Sequence, residues 1–209
     1  MEFLGLARQG EFEILEKRSR FIGTAAPAFS VSEAETFISS IRTKYPDATH
    51  NVYAFSVGTG TPVDRVSDDG EPRGTAGYPI LEVIHKRELR NAVCVVTRYF
   101  GGTLLGAGGL LRAYGKAASG ALDQAGTRKY AYHRLLRVNL AYDQYGKVQR
   151  EVEAWNAIID QVLYGEDVTI AAYVDDNDVE RLVGRITDMT RSKSRISVED
   201  GKYIPCREK

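Results

Sequence analysis

Two segments of the chain contain residue types that catalysis or ligand binding could use. The first runs from Ser67 to Gly77 and reads SDDGEPRGTAG, which places three carboxylates and one arginine close together. The second runs from Arg98 to Gly115 and reads RYFGGTLLGAGGLLRAYG, which contains six of the 20 glycines of the chain. A chain concentrates glycine where its backbone bends sharply or approaches another group closely. These two segments are therefore the candidate sites.

The first segment is predicted to be a loop, because it is too rich in Gly, Pro and Asp for a regular element. Clustered acids can hold a hard cation or raise one another's pKa. The same residues are typical of a solvated turn or of caps for the next helix, which is the interpretation we favour, so no metal is expected. The candidate residues of this loop are Asp68, Asp69, Gly70, Glu71, Arg73, Gly74 and Thr75.

The second segment is predicted to lead into a helix. A glycine-rich helix start exposes unpaired N–H groups at the positive end of the helix dipole, which favours an anion or a nucleic-acid backbone. That effect contributes only about 0.3–1 kcal/mol per charge, so binding also needs cationic side chains. Alternatively, the glycines let a helix pack tightly against a sheet. The predicted anion-binding or nucleic-acid-binding residues are Arg98, Gly101, Gly102, Thr103, Gly106, Gly108, Gly109, Arg112 and Lys116.

Known nucleotide and catalytic motifs do not fit either segment. A Walker A loop would need glycine where Leu110 stands and Ser or Thr where Ala117 stands. The dinucleotide fingerprint that starts at Gly106 meets Leu111 where its third glycine belongs. The three histidines are scattered, and no nucleophile–base pattern is present. The sequence therefore predicts no catalytic residue and no cofactor.

Composition excludes several classes of protein. The 209 residues include 28 Lys and Arg, 28 Asp and Glu and 43% hydrophobic residues, which is typical of a soluble globular protein. Zero net charge argues against a protein that coats nucleic acid through bulk charge. Cys94 and Cys206 are far apart, so a disulfide framework or zinc ribbon is not supported, and Cys94 is expected to be buried. Neither a secretory signal nor a membrane span is recognisable, so the expected compartment is the cytoplasm.

The elements that must position the two segments lie in the first half of the chain. Ser32 and Glu35 form a predicted capping box for a helix that Pro46 ends. Unbroken apolar runs predict strands that are buried on both faces. The other predicted elements are an exposed strand at Glu13–Phe21, buried strands at Asn51–Val57 and Asn91–Arg98, and helices at Ile80–Leu89 and from Leu110 to the C-cap Gly126.

The second half follows a different pattern, in which strands and helices alternate regularly. Their order is β-α-β-β-α-β, which predicts a ferredoxin-like arrangement. The predicted strands include Leu136–Tyr142, Ile158–Tyr164, Asp167–Val174 and a short Arg195–Val198, with helices around Val148 and Leu182. We therefore predict an α+β protein of two domains, residues 1–129 and residues 133–209.

The two motifs together resemble the IMPACT/YigZ family. The residues that carry this resemblance are SDDGEPRGTAG at Ser67–Gly77 and VVTRYFGGTLLGAGGLLRAY at Val95–Tyr114. Tyr78 departs from the Arg or Lys usual in the family. The resemblance implies an N-terminal α/β sandwich similar to the second domain of a small-subunit ribosomal protein and to domain IV of elongation factor G. It also implies a C-terminal domain similar to the ferredoxin-like domain V of that factor.

The resemblance also implies a function. Eukaryotic relatives regulate translation through a partner of an initiation-factor kinase, and bacterial members have been suggested to bind nucleic acid. We therefore expect a non-catalytic cytoplasmic binding protein that docks on RNA, on a ribosome or on a translation factor. One alternative is a magnesium-dependent, kinase-like enzyme for a phosphorylated small molecule. Another is an adaptor that binds only proteins. The oligomeric state is not predicted.

Overall fold

The computed structural model describes residues 2–206. The chain forms two compact units: Phe3–Lys129 is one, and Glu2 belongs with the described residues from Tyr130 to Cys206. The elements of the first part are β1 (Glu2–Leu6), β2 (Gly10–Glu16), β3 (Ser19–Pro27), α1 (Val31–Lys44), β4 (His50–Val57), β5 (Val63–Ser67), α2 (Gly77–Lys86), β6 (Ala92–Tyr99) and α3 (Ala107–Ala125). They are followed by β7 (Thr127–Leu140), α4 (Tyr142–Ala154), β8 (Ile158–Tyr164), β9 (Val168–Asp175), α5 (Val179–Met189) and β10 (Arg195–Pro205).

The N-terminal unit is built on an antiparallel sheet with strand order β2-β3-β6-β4-β5. Successive side chains of a strand point to opposite faces. On β6, Val93 and Val95 pack with buried residues of α1, whereas Cys94 and Val96 pack with those of α2 and α3. The sheet is thus covered by helices on both faces, which explains why its central strand is an unbroken apolar run.

Two predictions for this unit were wrong, and one strand was missed. The strand predicted at Glu13–Phe21 is a hairpin of β2 and β3 that turns at Lys17 and Arg18, both with positive φ. Such turns usually contain Asn-Gly or Asp-Gly, so this sequence carried no signal for it. The side chain of Ser30, not that of Ser32, caps α1 by accepting from the Glu33 N–H. Strand β5 was not predicted, because its exposed edge position lets it carry polar residues.

The C-terminal unit confirms the ferredoxin-like prediction. Its strands β7, β9 and β8 are neighbours in that order, β10 also pairs with β7, and each of these three pairs is antiparallel; β1 is a further strand of the same sheet. Buried residues of α4 and α5, such as Val148 and Leu182, pack in one cluster with Leu136 and Ile170 of the sheet. Strand β10 is longer than predicted, because after Val198 it passes an irregularity between Glu199 and Lys202 and continues to pair with β7.

Candidate functional site

The first segment, Ser67–Gly77, is called the acidic loop. Asp68 lies near its start and fixes the beginning of α2. Its carboxylate accepts hydrogen bonds from the N–H groups of Gly74 at 2.7 Å, Ala76 at 3.1 Å and Gly77 at 2.8 Å. The residue at the N-cap, Ala76, has no side chain to cap the helix, so Asp68 performs that role from eight residues upstream. This also explains why α2 begins at Gly77, three residues before the predicted start. The expectation of a capping role is confirmed.

The environment of Asp68 predicts that the folded protein becomes less stable at acidic pH. Burial alone would raise the pKa of this carboxyl, but the N–H groups of Gly77, Gly74 and Ala76 outweigh burial and lower it below the ordinary value. A lowered pKa in the folded state stabilises the protein above the unfolded pKa of about 3.9, and this contribution is lost as the pH falls through the folded pKa.

We expect Asp68→Asn to lower the free energy of unfolding by about 1–3 kcal/mol at neutral pH, since it weakens charge-assisted bonds to backbone donors. The variant should also lose less stability than the unaltered protein when the pH falls below about 4. Urea denaturation at several pH values measures both effects. Exposed Asp143→Asn serves as the control. Parallel acid profiles for the Asp68 variant and the unaltered protein would contradict this role.

Asp69 ties the same loop to α1 and β4. Its carboxylate accepts from the N–H of Asn51 at 2.6 Å and from the guanidinium of Arg42 at 3.1 Å. Its carbonyl oxygen lies 2.7 Å from Nδ1 of His50. Asp69 therefore holds the loop against the end of the sheet.

Glu71 is buried in the unit and forms an ion pair with Arg98. The exposed fractions of the two side chains are 4% and 6%. The hydroxyl of Tyr114 on α3 donates to the same carboxylate at 2.7 Å, and burial together with this bond raises the pKa of Tyr114. A buried charge requires such partners, because an unpaired one is strongly unfavourable. Glu71 thus joins the acidic loop to β6 and α3.

Arg98 does not supply the exposed charge that the sequence suggested. Its guanidinium lies 5.2 Å from the ring centre of Phe21 and 5.4 Å from that of Phe100. Its Nε is buried and has no hydrogen-bond partner among residues 2–206. The burial follows from the position of Arg98 on the central strand β6, which brings its charge to Glu71.

The remaining loop residues shape the backbone. Gly70 and Gly74 have positive φ of 90° and 79°, and the Thr75 hydroxyl donates to the Pro72 carbonyl at 2.6 Å. Arg73 is exposed. The three carboxylates of the loop face different protein partners, and no cluster of three or more potential metal-ligating side chains occurs in the described part of the chain. The loop is therefore a structural connector between elements.

The glycines of the second segment have different roles. Gly101 approaches the hairpin turn so closely that a Cβ there would overlap the Arg18 backbone. Gly102 and Gly106 have positive φ of 79° and 74°. A Cβ on Gly108 would meet nothing within 4 Å. A Cβ on Gly109 would approach Leu105 at 2.9 Å, so tight packing explains only some of these glycines.

The helix α3 begins beside a basic cleft of about 250 Å³. The N–H groups of Gly109 and Leu110 donate to the Gly106 carbonyl, so those of Ala107 and Gly108 have no acceptor within the helix. Three cations and one acid line the cleft, and none of the three cations forms an ion pair within residues 2–206. The lining residues are Glu16, Lys17, Leu105, Gly109, Arg112, Ala113 and Lys116.

A second cavity, of about 370 Å³, shares Leu105 with the basic cleft. Its walls are largely apolar, with polar side chains at Thr49, His50, Glu71 and Arg98. Its other lining residues are Pro72, Phe100, Leu104, Leu105, Gly106, Ala107 and Leu110. The acidic loop and the glycine-rich segment of the sequence thus meet at one cavity.

The structure places five of the nine predicted binding residues at one or other of these two places. Arg112, Lys116 and Gly109 line the basic cleft, whereas Arg98 and Gly106 line the cavity. Thr103 is exposed on the connection between β6 and α3, and it lines neither place; nor do Gly101, Gly102 and Gly108. The sequence suggested that Arg98, Arg112 and Lys116 form one cationic cluster. This prediction is wrong for Arg98, which does not line the basic cleft.

Sequence reasoning missed Lys17 and His50. Lys17 reaches the basic cleft because the β2–β3 hairpin turns at that residue. His50 reaches the cavity at the start of β4. Neither has a neighbour in sequence that signals binding, since only the pairing of distant strands brings them to α3.

The burial of Cys94 and the exposure of the aromatic residues near the cations also bear on the candidate site. Cys94 is fully buried, as predicted, and burial raises the pKa of its thiol to about 12, so it is not a nucleophile at neutral pH. Of the aromatic residues near the cations, Tyr114 and Phe55 are buried. Phe100 is 45% exposed and lines the cavity, so it is available to a ligand.

Comparison with known proteins gives consistent results for both halves of the chain. The Impact N-terminal domain matches residues 17–122, and a domain of unknown function matches residues 138–193. The IMPACT family member YvyE of Bacillus subtilis is 37% identical over 93% of this chain and 90% of its own length. Human Protein IMPACT is 32% identical over 44% of this chain and 30% of its own length.

A crystal structure described only as that of a hypothetical protein is also similar. It has a TM-score of 0.68 and 30% sequence identity, and the match covers 93% of this chain and 96% of that one. Within residues 2–206, none of the helices combines the length and apolar character that a membrane crossing would need.

Proposed function

Since this chain belongs to the IMPACT family, we propose that it is a non-catalytic, translation-linked binding protein that docks on RNA, alone or within a ribosomal particle. The observation that carries the RNA assignment is the basic cleft beside the start of α3. Cations there can contact phosphates, and the positive end of the α3 dipole nearby also favours an anion. The cytoplasm is the compartment in which such a partner is available.

The cleft has the charge that a phosphate backbone requires. Lys17, Arg112 and Lys116 face a single acid, Glu16, so the local charge is positive although the chain as a whole is neutral. Because no ion pair within the described residues occupies these cations, binding does not require an internal bond to break. Phosphate contacts of this kind release counterions and weaken as salt rises.

The kinase-like alternative has less support from the geometry. It needs carboxylates that converge on a magnesium ion. Here Asp68 caps α2, Asp69 holds Asn51 and Arg42, and Glu71 pairs with Arg98. A phosphate-binding role without metal is therefore the better interpretation of the glycine-rich segment.

Reversing the charge at Arg112 and Lys116 together is expected to weaken RNA binding by at least about tenfold. Three cations on a single strand predict a slope of log K against log salt of roughly −2, and losing two should reduce its magnitude by about 1.4. Fluorescence anisotropy with a labelled single-stranded RNA over a salt titration measures both quantities.

A matched control is available on α4. Lys147 and Arg150 are also exposed cations one helical turn apart, so Lys147→Glu with Arg150→Glu changes the net charge by the same amount. That variant should retain most of the affinity. Equal losses in the two double variants would show that total charge, and not the cleft, is responsible. An affinity that does not change with salt would refute phosphate binding.

A further inference from the structure

The polar end of the cavity beside the basic cleft includes an acceptor on His50. Nδ1 of His50 lies 2.7 Å from the carbonyl oxygen of Asp69, and a carbonyl can only accept. In the neutral imidazole, Nδ1 therefore carries the proton and Nε2 is an acceptor. Nε2 lies 3.9 Å from Oε1 of Glu71, which is also an acceptor and is too far away for a hydrogen bond.

The other walls of the cavity are suited to a ligand with a flat apolar face. Phe100 and Leu104 are 45% and 82% exposed, which is unusual for large apolar side chains beside a cavity. The guanidinium of Arg98, which is paired with Glu71, lies 5.4 Å from the centre of the Phe100 ring and supports that wall. A volume of about 370 Å³ accepts one ring system of moderate size.

The position of the cavity favours one kind of occupant. It shares Leu105 with the basic cleft, so a chain whose phosphates lie on Arg112 and Lys116 has the cavity next to it. A nucleobase carries a flat π-face for Phe100 and, when it bears an amino group, N–H donors for the acceptor Nε2 of His50. Bases become available in this way only where a strand is unpaired.

We propose that this cavity receives one unpaired, amino-bearing nucleobase of RNA, while Lys17, Arg112 and Lys116 hold the adjoining phosphates. This assignment rests on the proposed function, since it requires that RNA lies in the basic cleft. It adds a selectivity that phosphate contacts alone do not provide. Duplex RNA keeps its bases stacked and paired, so it can use the cleft but not the cavity.

The test compares a labelled single-stranded RNA of 12 nucleotides and mixed sequence with the same strand in a duplex. We expect the unaltered protein to bind the single strand about tenfold more tightly, as the loss of one base–aromatic contact would cost. Phe100→Ala with Leu104→Ser should bring the affinity for the single strand down to that for the duplex. Thermal unfolding verifies that the variant is folded.

Leu15→Ser provides the control, because Leu15 is 72% exposed and lies outside the cavity. It should leave the preference for the single strand intact. Equal affinity of the unaltered protein for single strand and duplex would overturn the cavity assignment and leave the proposed function standing. A cavity variant that keeps the preference would also overturn it and would favour a side chain of a protein partner as the occupant. Failure to bind either RNA would refute the proposed function itself.

Discussion

Replacing Glu71 with alanine is expected to lower the free energy of unfolding by about 3–5 kcal/mol. The variant leaves the guanidinium of Arg98 buried without its counterion, and it leaves the hydroxyl of Tyr114 without its acceptor. The Nε of Arg98 already lacks a partner among the described residues, so the guanidinium has little capacity to compensate. Urea denaturation followed by circular dichroism measures the loss.

Two comparisons distinguish the cost of leaving Arg98 buried without its counterion from the cost of losing an ordinary ion pair. Glu13→Ala breaks the exposed ion pair between Glu13 and Arg20, whose side chains are 42% and 46% exposed respectively. It should lower the free energy of unfolding by only about 0–1 kcal/mol. The double variant Glu71→Leu with Arg98→Met removes both charges and should be more stable than Glu71→Ala. A loss for Glu71→Ala as small as that for Glu13→Ala would show that Arg98 is not held as described.

Gly23→Ala is expected to lower the free energy of unfolding by about 3 kcal/mol. Gly23 lies on β3, and a Cβ there would overlap the backbone carbonyl of Ala117 on α3. Backbone cannot move aside as the end of a flexible side chain can, so the helix must shift away from the sheet. Thermal or urea denaturation of the purified variant measures the cost.

Gly115→Ala within α3 is the matched control. A Cβ at Gly115 meets nothing within 4 Å, so the substitution should raise the free energy of unfolding by about 0.5–1 kcal/mol through helix propensity. The same chemical change is thus expected to lower the free energy of unfolding at Gly23 and to raise it at Gly115. A similar loss of stability in both variants would contradict the difference in packing between Gly23, which contacts α3, and Gly115, which has open space.

The acidic loop supports the walls of the proposed RNA site. Asp68 fixes the start of α2, Asp69 holds the loop to β4, and Glu71 fixes Arg98 beneath Phe100. The cavity therefore depends on residues that need not touch a ligand. Variants of these carboxylates should impair binding by disturbing the walls, which is why stability must be measured alongside affinity.

Local patterns predicted the C-terminal unit well. Its strands alternate apolar and polar residues, its helices keep a period near 3.6, and the order of elements leaves few arrangements of the sheet. The N-terminal unit was harder, because its turns and edges depend on pairing between distant segments. The hairpin at Lys17 and the edge strand β5 have no local signature, and pairing with β3 and β4 creates them.

The sequence by itself determined that two short segments are special and that one of them begins a helix. It also indicated capping by the loop carboxylates, since Asp before a helix has a local physical reason to be there. Tertiary structure decided which charges are available. Arg98 and Arg112 look alike in sequence, but the central strand buries Arg98 against Glu71, whereas α3 leaves Arg112 exposed in the basic cleft. Burial depends on contacts between distant residues, so only the folded chain could separate the structural arginine from the one that can bind.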